Sequence, residues 1–301
     1  MRVEYREEPC RSALNRVRGM PFEWSLNPYM GCAHRCTFCY VRAFELRADR
    51  PSDERYGRSI RVKTNVPQVL ARELARPSWK HQGIAIGAAT DPYQPVEGRY
   101  RLTRACLQVL AEAPNPFSLI TRGPMILRDL DVLQHAAARA DVSVTFSVPT
   151  LDADVWRTTE PGTAPPRQRL RALKELVDAG VKASVGMAPI LPGLSDRPEQ
   201  LAEVVQAARA AGATGVWANL LHLRPGTREH FLEALARDWP DQLEHYERLY
   251  ARKAYLPASE AQPVRALVGE LARKHGIRDR RANALRPTEP PAEPEQLSLV
   301  V

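Results

Sequence analysis

Cys32, Cys36 and Cys39 lie within eight residues, in the stretch that runs from Asn27 to Tyr40. Three thiolates this close are a soft ligand set, suited to zinc or to an iron–sulfur cluster. A closed zinc site or an all-cysteine cluster needs four protein ligands, and only three are local. A [4Fe–4S] cube on three cysteines leaves one iron without a protein ligand, and that iron is open to chemistry. The alternative is a zinc-stabilised, non-enzymatic nucleic-acid-binding protein. It needs a fourth ligand, and His34, Cys10 and Cys106 are the candidates. His34 reads more simply as facing solvent or bonding the loop backbone, because zinc spacings usually come in pairs. Cys106 falls among Ala105, Leu107, Val109 and Leu110 and reads as a small buried hydrophobe. Cys10, in a polar N-terminal segment, reads as an exposed cysteine.

The chain around this loop has 301 residues, 44% of them hydrophobic and 26% charged, which suffices for a sizeable core in one or two domains. Five cysteines, three of them bunched, favour metal over disulfides in a reducing compartment. Residues 1–20 are charged and lack the apolar centre of a leader. No apolar run reaches the roughly 18 residues of a membrane span. The expectation is a cytoplasmic protein that does not enter the membrane. The formal charge of +8 is concentrated in two stretches, 42–63 and 265–286, each with seven Arg or Lys. Both read first as solvated surface. Their second reading, a surface that tracks phosphates near the mouth of a site, favours a nucleic-acid substrate.

Positioning the cysteine loop requires a scaffold, and the chain supplies a regular one. A short strand at 22–26 precedes the loop, a helix at about 38–48 follows it, and a basic linker runs to Lys63. Apolar or β-branched runs then predict strands at 84–89, 117–121, 142–148, 181–190 and 216–223. Helical spacing places helices between them, as with Leu201, Val204, Val205 and Ala208 before Gly212. A proline-rich connection at 150–166 reads as an unstructured functional lid. Strand–helix repetition implies a parallel sheet with right-handed crossovers. The expected fold is α/β: an incomplete (βα)6 barrel with a helical C-terminal extension. The expected divisions are an N-terminal arm (1–21), the barrel (22–235), the extension (236–285) and a disordered tail (286–301). In such folds loops at the carboxyl ends of strands build the site. The cysteine loop, Thr90 and Asp91, Arg122, Ser147 and the turn at 187–195 all have that address.

A Cys-x3-Cys-x2-Cys run with Phe38 before its last cysteine, at the head of a β/α series, resembles the radical SAM superfamily. Three longer strings, 27–32, 89–97 and 188–195, are similar to its spore-photoproduct-lyase-like branch, in its uncharacterised members rather than the lyase proper. The resemblance covers roughly residues 20–235. It implies a radical SAM enzyme in which Cys32, Cys36 and Cys39 hold a [4Fe–4S] cluster. S-adenosylmethionine would chelate the open iron, and a flavodoxin- or ferredoxin-like one-electron reductant would supply the cluster. By the same resemblance Thr90 contacts the methionyl amine, Arg122 the methionyl carboxylate and Ser147 the ribose, while Phe38 and Tyr40 flank the adenine. Asp91, Tyr93, Gln94 and Glu97 become candidates for the substrate pocket. Ala88 stands where the lyase proper has its hydrogen-donating cysteine, so repair by that relay is not expected.

Overall fold

The computed structural model describes residues 3–279. The tail expected at 286–301 lies outside the described residues, as does the end of the extension. In chain order the strands are β1 (Glu4–Glu8), β2 (Leu14–Arg16), β3 (Trp24–Leu26), β4 (Tyr29–Met30), β5 (Ser59–Lys63) and β6 (Ile84–Ile86). They continue with β7 (Phe117–Thr121), β8 (Val142–Ser147), β9 (Lys182–Ile190), β10 (Gly215–Leu220) and β11 (Arg278–Asp279). The helices begin with α1 (Arg42–Arg47), α2 (Val66–Leu74), α3 (Glu97–Tyr100), α4 (Leu102–Glu112), α5 (Leu130–Ala137) and α6 (Ala153–Thr159). They end with α7 (Pro166–Asp178), α8 (Pro198–Ala210), α9 (Thr227–Asp238), α10 (Leu243–Leu249) and α11 (Ala258–Lys274).

Strands β3, β6, β7, β8, β9, β10 and β11 form one parallel sheet in that order, and β2 pairs antiparallel on the outer edge of β3. Among the described residues its two edges do not meet, so the barrel is incomplete. The six expected strands are β3 and β6 to β10, and β11 adds a two-residue seventh. The register sets Leu26, Ile86, Leu119, Val144 and Ala183 side by side in one row. All five are buried to within 1%, and burying such a Leu, Ile or Val side chain contributes about 1.5–3 kcal/mol. Helices cover the outside. In α7, Leu170, Leu173 and Leu176 face the core, and Pro166 occupies the first turn, where a missing N–H does no harm.

The structure departs from the sequence reading in four places. Residues 4–8 and 14–16 are strands, not an irregular arm. The linker after α1 ends in β5, which pairs with β4 and β1 in a separate three-stranded sheet. There Ile60 and Val62 are fully buried between Ser59, Arg61 and Lys63, a period-two pattern hidden by the high local charge. The connection at 150–166 contains α6, capped by Asp152, whose carboxylate accepts from the amides of Asp154 and Val155. Finally, the last helix that helical spacing predicts in the extension, from Pro263 to His275, starts five residues earlier as α11, with Pro263 inside it. Packing of α11 on β10 and α8 outweighs the backbone bond that Pro263 cannot make. Among the described residues no helix is long and apolar enough to cross a membrane.

Candidate functional site

Gly87 turns the chain at the end of β6 with φ +85°, which shortens that strand and frees residues 88–91. Opposite them runs the cysteine loop. Together with the end of β7 they form a cavity, open on one side, walled by Cys32, His34, Cys36, Cys39, Tyr40, Tyr56, Ala88, Thr90, Asp91 and Arg122 among others.

The loop that carries the thiols is fixed at several points. Gln94, fully buried, accepts from the Ala33 amide at 2.9 Å and donates to the Gly31 carbonyl at 3.0 Å. Asn27 accepts from the amides of Ala89 and Thr90, at 2.9 and 3.3 Å. The Thr37 amide donates to Thr159 and the Gly162 amide to His34. Gly162 has no room for a side chain, since a Cβ there would lie 2.7 Å from the Ala33 carbonyl. The segment after α6 is therefore a clasp on the cysteine loop rather than a free lid. From the far end of the chain, Thr227 Oγ1 donates to the Cys39 carbonyl at 3.1 Å.

Charge is organised around the same cavity. His34 is 5% exposed with Nδ1 3.4 Å from Asp91, so it neither faces solvent nor bonds the loop backbone through its ring. Burial opposes a charged imidazole, but Cys32 and Asp91 outweigh it and push His34 up to about 10. Burial likewise resists ionising Asp91, yet His34, the Thr121 hydroxyl and the Arg122 amide pull it down to about 2. Arg122 spans Glu160, with Nε to Oε1 at 3.3 Å, and the Ala188 carbonyl, at 3.2 Å, and its guanidinium sits 5.7 Å over the Phe38 ring. The other Glu160 oxygen accepts from Arg169, which also donates to the carbonyls of Ala164 and Ser147 and to Thr163. On the opposite flank Tyr56 Oη lies 3.4 Å from Cys39 Sγ, and the Arg42 guanidinium lies 4.5 Å over the Tyr56 ring. All five cysteines are free, and burial raises the thiols of Cys36 and Cys39 above their ordinary range. A bound metal must displace those protons.

Of the residues singled out in the sequence, Cys32, Cys36, Cys39, Tyr40, Thr90 and Arg122 share the cavity wall. Phe38 lies behind it, under Arg122, and Ser147 at the end of β8 is not part of it. Asp91 lines the cavity. Gln94 instead clamps the loop, Tyr93 donates to Asp129, and Glu97 is fully buried against Tyr29, Thr103 and Arg128. These three are scaffold, not pocket. Sequence reading missed Glu160 and Arg169, which are brought to Arg122 only by the tertiary fold, and Arg42 and Tyr56, which were absorbed into the basic stretch. Cys106 is buried in the main core, and Cys10, partly buried, packs against that core with its amide bonded to Asn65. Neither belongs to the cavity wall, and this leaves the zinc reading without a fourth cysteine.

From the rim an aromatic series leads outward. Tyr40, whose hydroxyl donates to the Ala88 carbonyl, meets Phe44 edge-on and His222 at 5.8 Å, and His222 stacks on Tyr255 at 5.1 Å. Tyr40 is 38% and Tyr255 53% exposed. Arg47 lies over Phe44, and Arg224 lies over Tyr255 and donates to its hydroxyl.

A partial parallel barrel with three thiols and a cation at its strand ends defines a cofactor-dependent β/α-barrel enzyme. Comparison with known proteins agrees. The family model described as "Radical SAM superfamily" matches residues 26–205. An uncharacterised protein of Mycobacterium tuberculosis is 38% identical over 294 residues, covering 97% of this chain and 85% of its own. An uncharacterised protein of the Acidianus two-tailed virus is 28% identical over 224 residues, covering 70% and 71%. A structure of spore photoproduct lyase superposes with a TM-score of 0.69 at 16% identity, covering 90% of this chain and 79% of that one. The chain belongs to the radical SAM superfamily and shares the spore-photoproduct-lyase-like fold. It is a radical SAM enzyme, of a family that uses a [4Fe–4S] cluster and S-adenosylmethionine.

The donor set fits that cluster. Three free thiols line one cavity, with a hydroxyl at one of them, the buried Arg42 on that flank and the partly buried Arg122 on the other. Among the described residues no three His, Cys, Asp or Glu side chains converge as a single ion would require. A cube takes each thiolate on a separate iron and does not need that convergence.

Proposed function

We propose that Cys32, Cys36 and Cys39 hold the [4Fe–4S] cluster and that S-adenosylmethionine occupies the rest of the cavity, on the iron left open. When bound and given one electron, this pair supplies cleavage of the sulfonium to methionine and a 5′-deoxyadenosyl radical, which takes a hydrogen atom from the substrate. The observation that carries the reading is that the three thiols share one wall with Thr90, Arg122 and Tyr40. The chain's own task is to bind, orient and exclude water. Thr90, whose amide is held by Asn27, presents its hydroxyl to the methionyl amine. Arg122 spends two of its N–H groups on Glu160 and Ala188 and has others left for the methionyl carboxylate. Tyr40, on the same wall, flanks the adenine. A flavodoxin- or ferredoxin-like reductant supplies the electron, and the free thiols suit a reducing cytoplasm.

For the substrate we favour a nucleic acid. The basic stretch at 42–63 supports this less than its charge suggests, because Arg42 is buried, Arg50 pairs with Glu45 and Arg55 with Asp53. The support comes instead from the series Tyr40, His222 and Tyr255 flanked by arginines, the kind of surface on which unpaired bases stack. The spore photoproduct lyase structure, solved with AdoMet and a dinucleoside photoproduct, points the same way. Ala88 argues against that enzyme's own hydrogen relay.

The test is anaerobic. Reconstituted protein is given dithionite and S-adenosylmethionine together with single-stranded DNA or RNA, and 5′-deoxyadenosine is quantified beside a Cys36→Ala control. Product that vanishes in the variant is expected, and a fully loaded cluster that forms none would overturn the reading. Binding to single strands should weaken steeply with salt. No binding at low salt would redirect the search to a small molecule or a peptide.

A further inference from the structure

Arg42 does not belong to the surface its sequence neighbours suggest. It is 1% exposed, and among the described residues it forms no ion pair with a carboxylate. Its Nη1 donates to the carbonyls of Ser52 and Asp53, at 2.7 and 2.6 Å, while its Nε is buried without a partner. A buried cation lacking a counter-charge is strongly unfavourable, so Arg42 calls for an anion beside it. Arg42 follows Cys39 by three residues and packs its guanidinium on the ring of Tyr56, whose hydroxyl lies 3.4 Å from Cys39 Sγ. Tyr56 is itself 2% exposed. Three thiolates on a cube make an anion, and its charge grows by one on reduction.

We infer that Tyr56 and Arg42 form a fixed electropositive flank on the Cys39 side of the cluster, there to favour its reduced state. The inference rests on Cys39 being a cluster ligand, as proposed above. A coordinated cysteine has lost its proton, so at the 3.4 Å contact only the Tyr56 O–H can donate. That hydrogen bond withdraws charge from the ligand sulfur, and hydrogen bonds to sulfur, net charge and burial are what set the potential of such a cluster. Arg42 acts in two ways. It holds the Tyr56 ring in place through its face, and it supplies the buried positive charge that the reduced cluster needs more than the oxidised one. Both are positioning and tuning residues. Arg42 is not part of the cavity wall, and Tyr56 lines it beside Cys39.

The test is a redox titration of the reconstituted protein, followed by the electron paramagnetic resonance signal of the reduced cluster, without S-adenosylmethionine or substrate. Tyr56→Phe removes one hydroxyl from a packed ring and should keep its iron. At a fixed potential near the wild-type midpoint, its ratio of reduced to oxidised cluster should fall about tenfold, which is about 59 mV for one electron. Arg42→Gln should shift the ratio in the same direction, and Arg42→Lys should restore most of it by returning the charge. An unchanged midpoint in Tyr56→Phe, with full iron content, overturns the inference and leaves the assignment of the ligands intact. A Cys39→Ala protein that holds a normal cluster overturns both. Equal midpoints for Arg42→Gln and Arg42→Lys would mean that Arg42 is structural only.

Discussion

Glu160 is the residue on which the largest stability effect near the cavity should fall. Its side chain is 3% exposed, and its two oxygens face Arg122, 19% exposed, and Arg169, fully buried. Glu160→Gln keeps the shape and removes the charge. It leaves Arg169 with carbonyls and the Thr163 hydroxyl as partners, and Arg122 with one carbonyl and an aromatic face. Breaking a buried pair in this way costs about 3–5 kcal/mol. Because glutamine still accepts one bond and Arg122 keeps some solvent, the lower end applies, about 3 kcal/mol. At about 2 °C per kcal/mol for a chain of this size, the apparent Tm should drop by about 6 °C. The pH dependence has a definite sign. Burial resists ionisation of Glu160, but Arg169 and Arg122 overcome it and hold the carboxyl below its ordinary value of 4.5. Its contribution is therefore complete above that value and is lost as pH falls through and below it. Equilibrium unfolding of wild type and variant at pH 7 and at successively lower pH measures the gap. A gap under about 1 kcal/mol at neutral pH, or one that widens in acid, would refute the reasoning. Affinity for S-adenosylmethionine should fall too, since Arg122 loses the carboxylate that aims it.

Three further predictions concern the scaffold. Gly57 has φ +74°, and a Cβ there would lie 2.2 Å from the Cys32 carbonyl, so Gly57→Ala should displace the loop and lower iron and sulfide content after reconstitution. Asn27→Ala strips the acceptor from the amides of Ala89 and Thr90. It should cost about 1–3 kcal/mol in equilibrium unfolding and weaken cofactor binding. Leu173→Ala, in α7 and fully buried, should cost about 2–5 kcal/mol while leaving iron content unchanged, which separates general destabilisation from damage to the loop.

The parallel sheet was legible because its central strands are largely buried and read as apolar or β-branched runs with turn residues at each end, as at Ile84–Ile86 between Gly83 and Gly87. The cysteine loop was legible from ligand type and spacing. What stayed hidden shares one cause, burial that a linear pattern does not reveal. Ile60 and Val62 were masked by the charges beside them. Arg42 looked like surface because arginine usually is, and only the fold shows its guanidinium under Tyr56. Glu160 and Arg122 are 38 residues apart, and nothing local marks them as partners. Residues 93–97 were misassigned because polar residues after a strand serve equally well as a pocket wall and as a brace, and Gln94 and Glu97 are braces.

The hydroxyl of Thr227 reaches back across 188 residues to the carbonyl of Cys39. During synthesis at about 5–20 residues per second, roughly 10–40 s separate the two ends of that contact. For that interval the nascent chain exposes three neighbouring thiols on a loop whose last clamp has not been made. A ribosome-bound chain is thus open to oxidation or to capture of the wrong metal at the same cysteines that later become protected. Faithful loading should depend on how well those thiols are guarded before α9 is made, and a truncation that stops short of Thr227 should accumulate mismetallated or oxidised protein even though β3 and β6 to β10 are all present.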